Sequence, residues 1–305
     1  MTMNILVGVT PDDAGEDALA LAAVLTRLTD ARIKLTHIFP PPFEFPSLTS
    51  VDAEWRAFVQ ERAEFAVSEA AELLATDWNI TNVSTETRAN PSRGRGLLAA
   101  AKEHDARVIV IGPAPSGRKG ALSLGSVADR LLHNSSAVIA LAPEGYRETA
   151  PEFLRRLVVA CPPADESELA AHTALRLATP HGLSVELLTP LVSPSRVLGS
   201  RVPRDTERAF MERLTEHERE VQAAVIATLG RDDVTGVVTS GDTTDRALAR
   251  YGFTDEDLLV LASSNEGPIH RVVLGDMTHR MLRHCDVPAM VLPRSFSLRP
   301  EKDNA

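Results

Sequence analysis

Between Ile111 and Val127 the chain reads Gly112-Pro-Ala-Pro-Ser-Gly-Arg-Lys-Gly-Ala-Leu-Ser-Leu-Gly125-Ser126, a run of small residues closed by a glycine–serine pair. Such a run can bind an anion. Backbone N–H groups left unpaired at a helix start, together with the helix dipole, favour a phosphate. Gly112, Gly125 and Ser126, with N–H groups up to Val127, form the candidate cradle, and Arg118 and Lys119 add positive charge. A Walker-type loop, G-x-x-x-x-G-K-[ST], fits poorly. Gly112 and Gly117 have the right separation, but Arg118 stands at the lysine position and Lys119 where a hydroxyl should hold magnesium. The turn Thr10-Pro11-Asp12-Asp13 lacks the G-x-G-x-x-G of a dinucleotide site. The plainer reading is that Gly125-Ser126 caps a helix and Gly112 lets a strand turn.

Other reactive side chains form no catalytic set. Ser263-Ser264 lacks the G-x-S-x-G of a nucleophile elbow. His279, His284 and Cys285 are not spaced i, i+4, so the histidines do not share a helical face, and no metal is expected. Cys161 reads as a small core residue. Acid pairs such as Asp12-Asp13 fall at turns and helix starts. The expectation is a protein that is not an enzyme.

The elements that must position the loop alternate. Asn4–Val9, Ile33–Phe39, Val83–Arg88, Val108–Ile111 and Ala137–Ala142 read as strands. Ala18–Leu28, Val51–Ala75, Gly96–Glu103 and a segment from Val127 read as helices. The scheme recurs with strands Leu157–Ala160, Val185–Leu188, Gly236–Thr239, Leu258–Leu261 and Ala289–Leu292. Strand–helix alternation specifies a parallel sheet with helices on both faces, which binds ligands beyond the carboxyl ends of its strands. The segments after Val9, Phe39 and Ile111 are therefore the ones to read for function.

The halves are repeats. Leu124-Gly125-Ser126, Arg130, Leu132 and Pro143 return as Leu274-Gly275-Asp276, Arg280, Leu282 and Pro293, always 150 positions on. At the front, Leu6-Val7 and Pro11 match Leu157-Val158 and Pro162, one residue further apart. A repeat of this length is a domain, larger than a solenoid unit, so residues 1–145 and 151–295 are the expected domains, joined by a short hydrophilic linker and packed on one another. Residues 1–150 hold 14 Lys/Arg against 19 Asp/Glu, and residues 151–305 hold 18 against 23. This acidic balance argues against nucleic acid. Two distant cysteines, no apolar run of spanning length and no basic-then-apolar leader point to a cytoplasmic protein without membrane segments. Phe39–Leu48 looks like the one concentrated exposed aromatic patch, and the polar tail from Arg294 is expected to be disordered.

A strand, then G-x2-G-x9-G-[ST], then V-A-x-x-[LV]-[LI] and a strand ending in proline resembles the universal stress protein family. Gly125-Ser126-Val127-Ala128-Asp129-Arg130-Leu131-Leu132 carries the match, and the element order follows it over nearly all of residues 1–295. The chain is similar to the tandem form. The resemblance implies two flavodoxin-like or Rossmann-like domains, each with a five-stranded, mostly parallel sheet. It also implies a stress-response or regulatory binding role, pairing of the two domains as an intramolecular pseudo-dimer, and a second chain or another protein as partner. In some members ATP occupies the loop. Here that implies an adenine nucleotide in the first domain, its phosphates on Gly112, Gly125, Ser126 and Val127 and its base flanked by Thr10 and Ile38.

Two positions depart from the family pattern. Pro115 replaces the second glycine, and Thr10 stands where members place an adenine-contacting Asp. In the second half the motif positions read Ala262, Asn265, Gly275 and Asp276, with Cys161 opposite Thr10. An aspartate at the helix start supplies the negative charge the dipole prefers and repels a triphosphate, as does Glu266. No nucleotide is expected there. The competing reading is an interaction scaffold with vestigial pockets. A slow ATP hydrolase ranks below both, because no base or magnesium ligand set is present.

Overall fold

A computed structural model describes residues 3–29, 31–41, 50–115, 119–161, 166–193, 203–262 and 276–293. The chain divides into two compact units, one within residues 1–150 and one within 151–298.

In the first unit the order is β1 (Asn4–Gly8), α1 (Asp13–Thr29), β2 (Arg32–Phe39), α2 (Ser50–Trp78), β3 (Val83–Ala89), α3 (Arg93–Glu103), β4 (Ala106–Ile111), α4 (Ser126–Asn134), β5 (Val138–Leu141) and the short α5 (Tyr146–Thr149). The strands lie in the order β3-β2-β1-β4-β5, and every pair is parallel. β1 and β4 are central and apolar, with Ile5, Leu6, Val7, Ile109 and Val110 fully buried, as a strand covered on both faces requires. Helices α1 and α2 pack together, and so do α3 and α4.

The second unit holds β6 (Arg156–Ala160), α6 (Glu166–Ala178), a 3-10 turn (Thr179–His181), β7 (Ser184–Val192), α7 (Arg204–Leu229), β8 (Val234–Gly241), α8 (Thr244–Tyr251), β9 (Asp257–Ala262), α9 (Asp276–His284) and β10 (Ala289–Leu292). Its parallel strands run β8-β7-β6-β9-β10, the same topology.

Strand register corrects the alignment of the repeats. Leu6 lies opposite Ile109, which lies opposite Ile139; Val158 lies opposite Leu259, which lies opposite Ala289. The front offset is therefore two residues larger than the rear one, not one. At the β1 exit Val9 N–H donates to the Thr36 carbonyl, and at the β6 exit Cys161 N–H donates to the Leu188 carbonyl (2.9 and 3.0 Å). Cys161 thus matches Val9 and not Thr10, whose counterpart Pro162 lies outside the described residues. A one-residue slip would turn each side chain to the other face of the sheet, so register decides the match over local similarity.

Two helices begin earlier than periodicity predicts, because polar caps extend them. The Asp12 carboxylate accepts from Gly15 N–H (3.0 Å) and starts α1 at Asp13. The Ser92 hydroxyl accepts from Arg95 N–H and starts α3 at Arg93, three residues before the predicted Gly96. The aromatic segment before α2 lies outside the described residues from Pro42 to Thr49, as does the tail from Arg294. Other exposed aromatics are plain to see: Trp55, Phe58 and Phe65 on α2 and Phe210 on α7.

Candidate functional site

At the carboxyl ends of β1, β2 and β4, a cavity of about 420 Å³ opens between the starts of α3 and α4. This volume falls in the range of about 300–1,000 Å³ typical of small-molecule sites. Its floor comprises Gly8, Thr36, Ile38 and Leu97. One wall is the β1 exit with Val9, Thr10 and Asp12. The others are the β4 exit from Ile111 to Pro115, the α4 start from Gly125 to Ala128 with Arg130, and the segment Pro91–Gly94. All six residues singled out in the sequence line this one cavity: Thr10, Ile38, Gly112, Gly125, Ser126 and Val127.

The local structure explains each placement. The β1 exit is held by Val9 N–H and by His37 Nδ1, which lies 2.9 Å from the Val9 carbonyl oxygen. Thr10 donates its hydroxyl to Asp12 Oδ1 (2.5 Å), so both are engaged in starting α1. Gly112 is fixed by packing, because a Cβ there would lie 1.8 Å from the Ala14 carbonyl oxygen. The loop that follows is closed by Ala114 N–H donating to the Ser123 carbonyl (3.0 Å). Ahead of α4, Gly125 is the cap residue and offers no side-chain hydrogen bond, so the first N–H groups of the helix have no side-chain acceptor from the cap.

Charge is distributed differently from the sequence expectation. Lys119 pairs with Glu148 (2.5 Å) and lines a neighbouring cavity of about 440 Å³ beside Asp17 and Arg147. Arg118 lies outside the described residues. The cations on the main cavity are Arg93 and Arg130, neither of which forms an ion pair with a described residue. Sequence reasoning passed over both. It read the ends of the first, second and fourth strands but not the third, although Asn90-Pro91-Ser92 is a turn-and-cap signal leading straight into Arg93 and Gly94. Arg130 was visible only as a repeat marker and as a member of the Gly125–Leu132 motif, with no role given to its charge. Thr36 was also missed; its hydroxyl is buried in the floor without a hydrogen-bond partner.

A buried carboxylate anchors the site from behind. Asp17 on α1 is fully buried and accepts from Gly145 N–H and Arg147 N–H (2.8 and 2.9 Å). Arg147 also reaches Asp13 and Glu16 (3.1 and 3.2 Å). Burial pushes the Asp17 carboxyl above its ordinary range, against the downward pull of those N–H donors and the guanidinium.

In the second unit, Ala160 stands at the place of Gly8 and Leu188 at that of Thr36, both buried. Thr243 caps α8 as Ser92 caps α3, each accepting from the residue three positions on, so Thr244 replaces Arg93 and Asp245 replaces Gly94. Asn265, Glu266 and Gly275 lie outside the described residues, and only the backbone of Asp276 is described. Among the described residues no group of His, Cys, Asp and Glu could hold a metal, and no helix is long and apolar enough to cross a membrane.

Two five-stranded parallel α/β units in tandem, one with a cavity over its strand ends, define the class. The Universal stress protein family matches residues 1–141 and again 154–293, and the chain belongs to it. It is 30% identical over 292 residues to universal stress protein Rv2319c of Mycobacterium tuberculosis, covering 95% of this chain and 100% of that one. A universal stress protein of Mycolicibacterium smegmatis is 25% identical over 298 residues, covering 95% and 96%. Among solved structures, a universal stress protein from Archaeoglobus fulgidus aligns with TM-score 0.63 at 16% identity, over 95% of this chain and 98% of that one. One from Pseudomonas aeruginosa aligns with TM-score 0.60 at 15% identity, over 96% and 93%. These two likenesses bear on the fold.

Proposed function

We propose that the first unit binds an adenine nucleotide and that the protein acts as a non-catalytic, ligand-responsive member of its family in stress response or regulation. The observation that supports this most is the convergence of the loop residues and the uncapped α4 start on one cavity. In this reading the phosphates lie on Gly112, Gly125, Ser126 and the N–H of Val127, while Thr10 and Ile38 flank the base. Pro115 contributes no N–H but lines the same cavity. The second unit holds no nucleotide in this reading: Ala160 and Leu188 stand where the first unit has Gly8 and Thr36, and Asp245 sets a carboxylate at the helix start where the first unit has glycine. Domain limits near residues 145 and 151, a cytoplasmic setting and pairing with a second chain or another protein belong to the same proposal.

A scaffold without nucleotide binding is the second reading, favoured by the exposed Trp55, Phe58 and Phe65 along α2. A thermal melt with millimolar ATP separates the two. Binding to the folded state raises the melting temperature, by an amount equivalent to about 2.7 kcal/mol at a hundredfold excess over Kd. No shift, and no co-purifying nucleotide, would leave the scaffold standing.

A further inference from the structure

We propose that Arg93 and Arg130 form a clamp that makes the first unit select a polyphosphate chain over a single phosphate; this rests on the nucleotide reading above. The α4 start alone accounts for holding one phosphate, but the cavity has a second side. There α3 begins, also with its N-terminus at the cavity, and Arg93 stands in its first turn. Arg130 comes from the opposite side, on α4. Its aliphatic stem lies across α3: a Cβ built at Gly94 would meet Arg130 Cδ at 2.9 Å and Cβ at 3.1 Å. The missing side chain at Gly94 is what admits the stem. Two arginines therefore line one cavity between two positive helix ends.

Among the described residues that line the cavity, one carboxylate faces these two arginines, so a net positive charge remains. Asp12, the carboxylate on the cavity, already accepts from the Thr10 hydroxyl and Gly15 N–H. The second unit shows how the fold handles the same junction without a ligand. There Asp245 replaces Gly94 and lies 3.9 Å from His284 of α9, Thr244 replaces Arg93, and Arg280 is the repeat partner of Arg130. The acid that the second unit carries must come from outside in the first. An independent sign of an absent ligand lies in the same cavity, where the fully buried Thr36 hydroxyl has no partner. Charge-assisted bonds from guanidinium to phosphate are the strong kind, and two arginines on either side of a chain reach further than one helix end.

The test is calorimetric titration of the full chain with ATP, AMP and inorganic tripolyphosphate, repeated on the Arg93→Gln/Arg130→Gln double variant. Both side chains are exposed, so the fold should survive, and an unchanged melting temperature without ligand checks this. We expect wild type to prefer ATP to AMP by at least about tenfold, and to bind tripolyphosphate detectably. In the double variant ATP and tripolyphosphate weaken by about tenfold while AMP is unchanged, and the wild-type preference declines as salt is raised. An unaltered ATP-to-AMP ratio in the variant overturns the clamp while leaving the nucleotide site in place. A uniform loss for all three ligands also overturns it. Wild type that binds neither ATP nor AMP removes the nucleotide reading and the clamp together.

Discussion

Gly112 and Ser126 sit in the same loop but answer to different forces. Gly112 is required by the fold, because its Cα passes against the Ala14 carbonyl. Gly112→Ala should therefore destabilise the protein by about 2 kcal/mol, read by urea denaturation with or without ligand. Ser126 is exposed and holds nothing in place within the cavity. Ser126→Asp should leave the free protein's stability within about 0.5 kcal/mol and abolish the ATP-induced melting shift; a shift that persists would place the ligand elsewhere. Asp17 yields a prediction in pH. Burial raises its folded-state pKa above the ordinary value of 3.8, so the folded protein keeps this proton longer than the unfolded chain does. Its contribution is fully present below the unfolded pKa and is lost as pH rises through the folded one. Asp17→Asn, which cannot ionise, should lose one acceptor and be less stable at every pH. Its deficit should shrink as pH climbs from about 3 to about 6, measured by urea melts against wild type. A deficit that grows over that range would reverse the sign assigned to burial.

At the scale of elements, the hydrophobic pattern specified which segments became strands and helices, while polar detail set their ends. Within β4 and β9, residues 108–111 and 258–262 are continuous apolar runs, legible because only a doubly covered strand tolerates them. The starts of α1 and α3 were not legible from periodicity, since Asp12 and Ser92 carry them through hydrogen bonds. The same blind spot hid half of the site, for the end of β3 offers no glycine motif, only a capped turn followed by Arg93. The amino ends of the second unit's strands hold another feature that pattern cannot show. Arg156 pairs through two bonds with the buried Asp257 (2.8 and 2.7 Å), reaches Glu186 at 3.1 Å and lies over the Tyr251 ring, whose hydroxyl donates to Glu186. Joining β6, β7 and β9, this network should make Asp257→Ala cost about 3 kcal/mol, because a half-buried guanidinium loses its two-bonded partner and keeps only the ion pair with Glu186. Tyr251→Phe should cost about 1 kcal/mol by chemical denaturation.

For the whole molecule, duplication was readable from paired positions at the front and rear of the halves, and the two units have the same strand order. The sequence placed the repeat register one residue off at the front, because local similarity around Leu157 outweighed what only strand pairing could decide. Asp276 pointed to electrostatic spoiling of the second cradle, and strand register and helix caps add Ala160 for Gly8, Leu188 for Thr36 and Asp245 for Gly94. The direct test of the account is the stoichiometry of ATP binding to the full chain by calorimetric titration. One site per chain, eliminated by Ser126→Asp and untouched by a substitution at Asp245, is the predicted result. Two sites per chain, or a single site that survives Ser126→Asp, would contradict it.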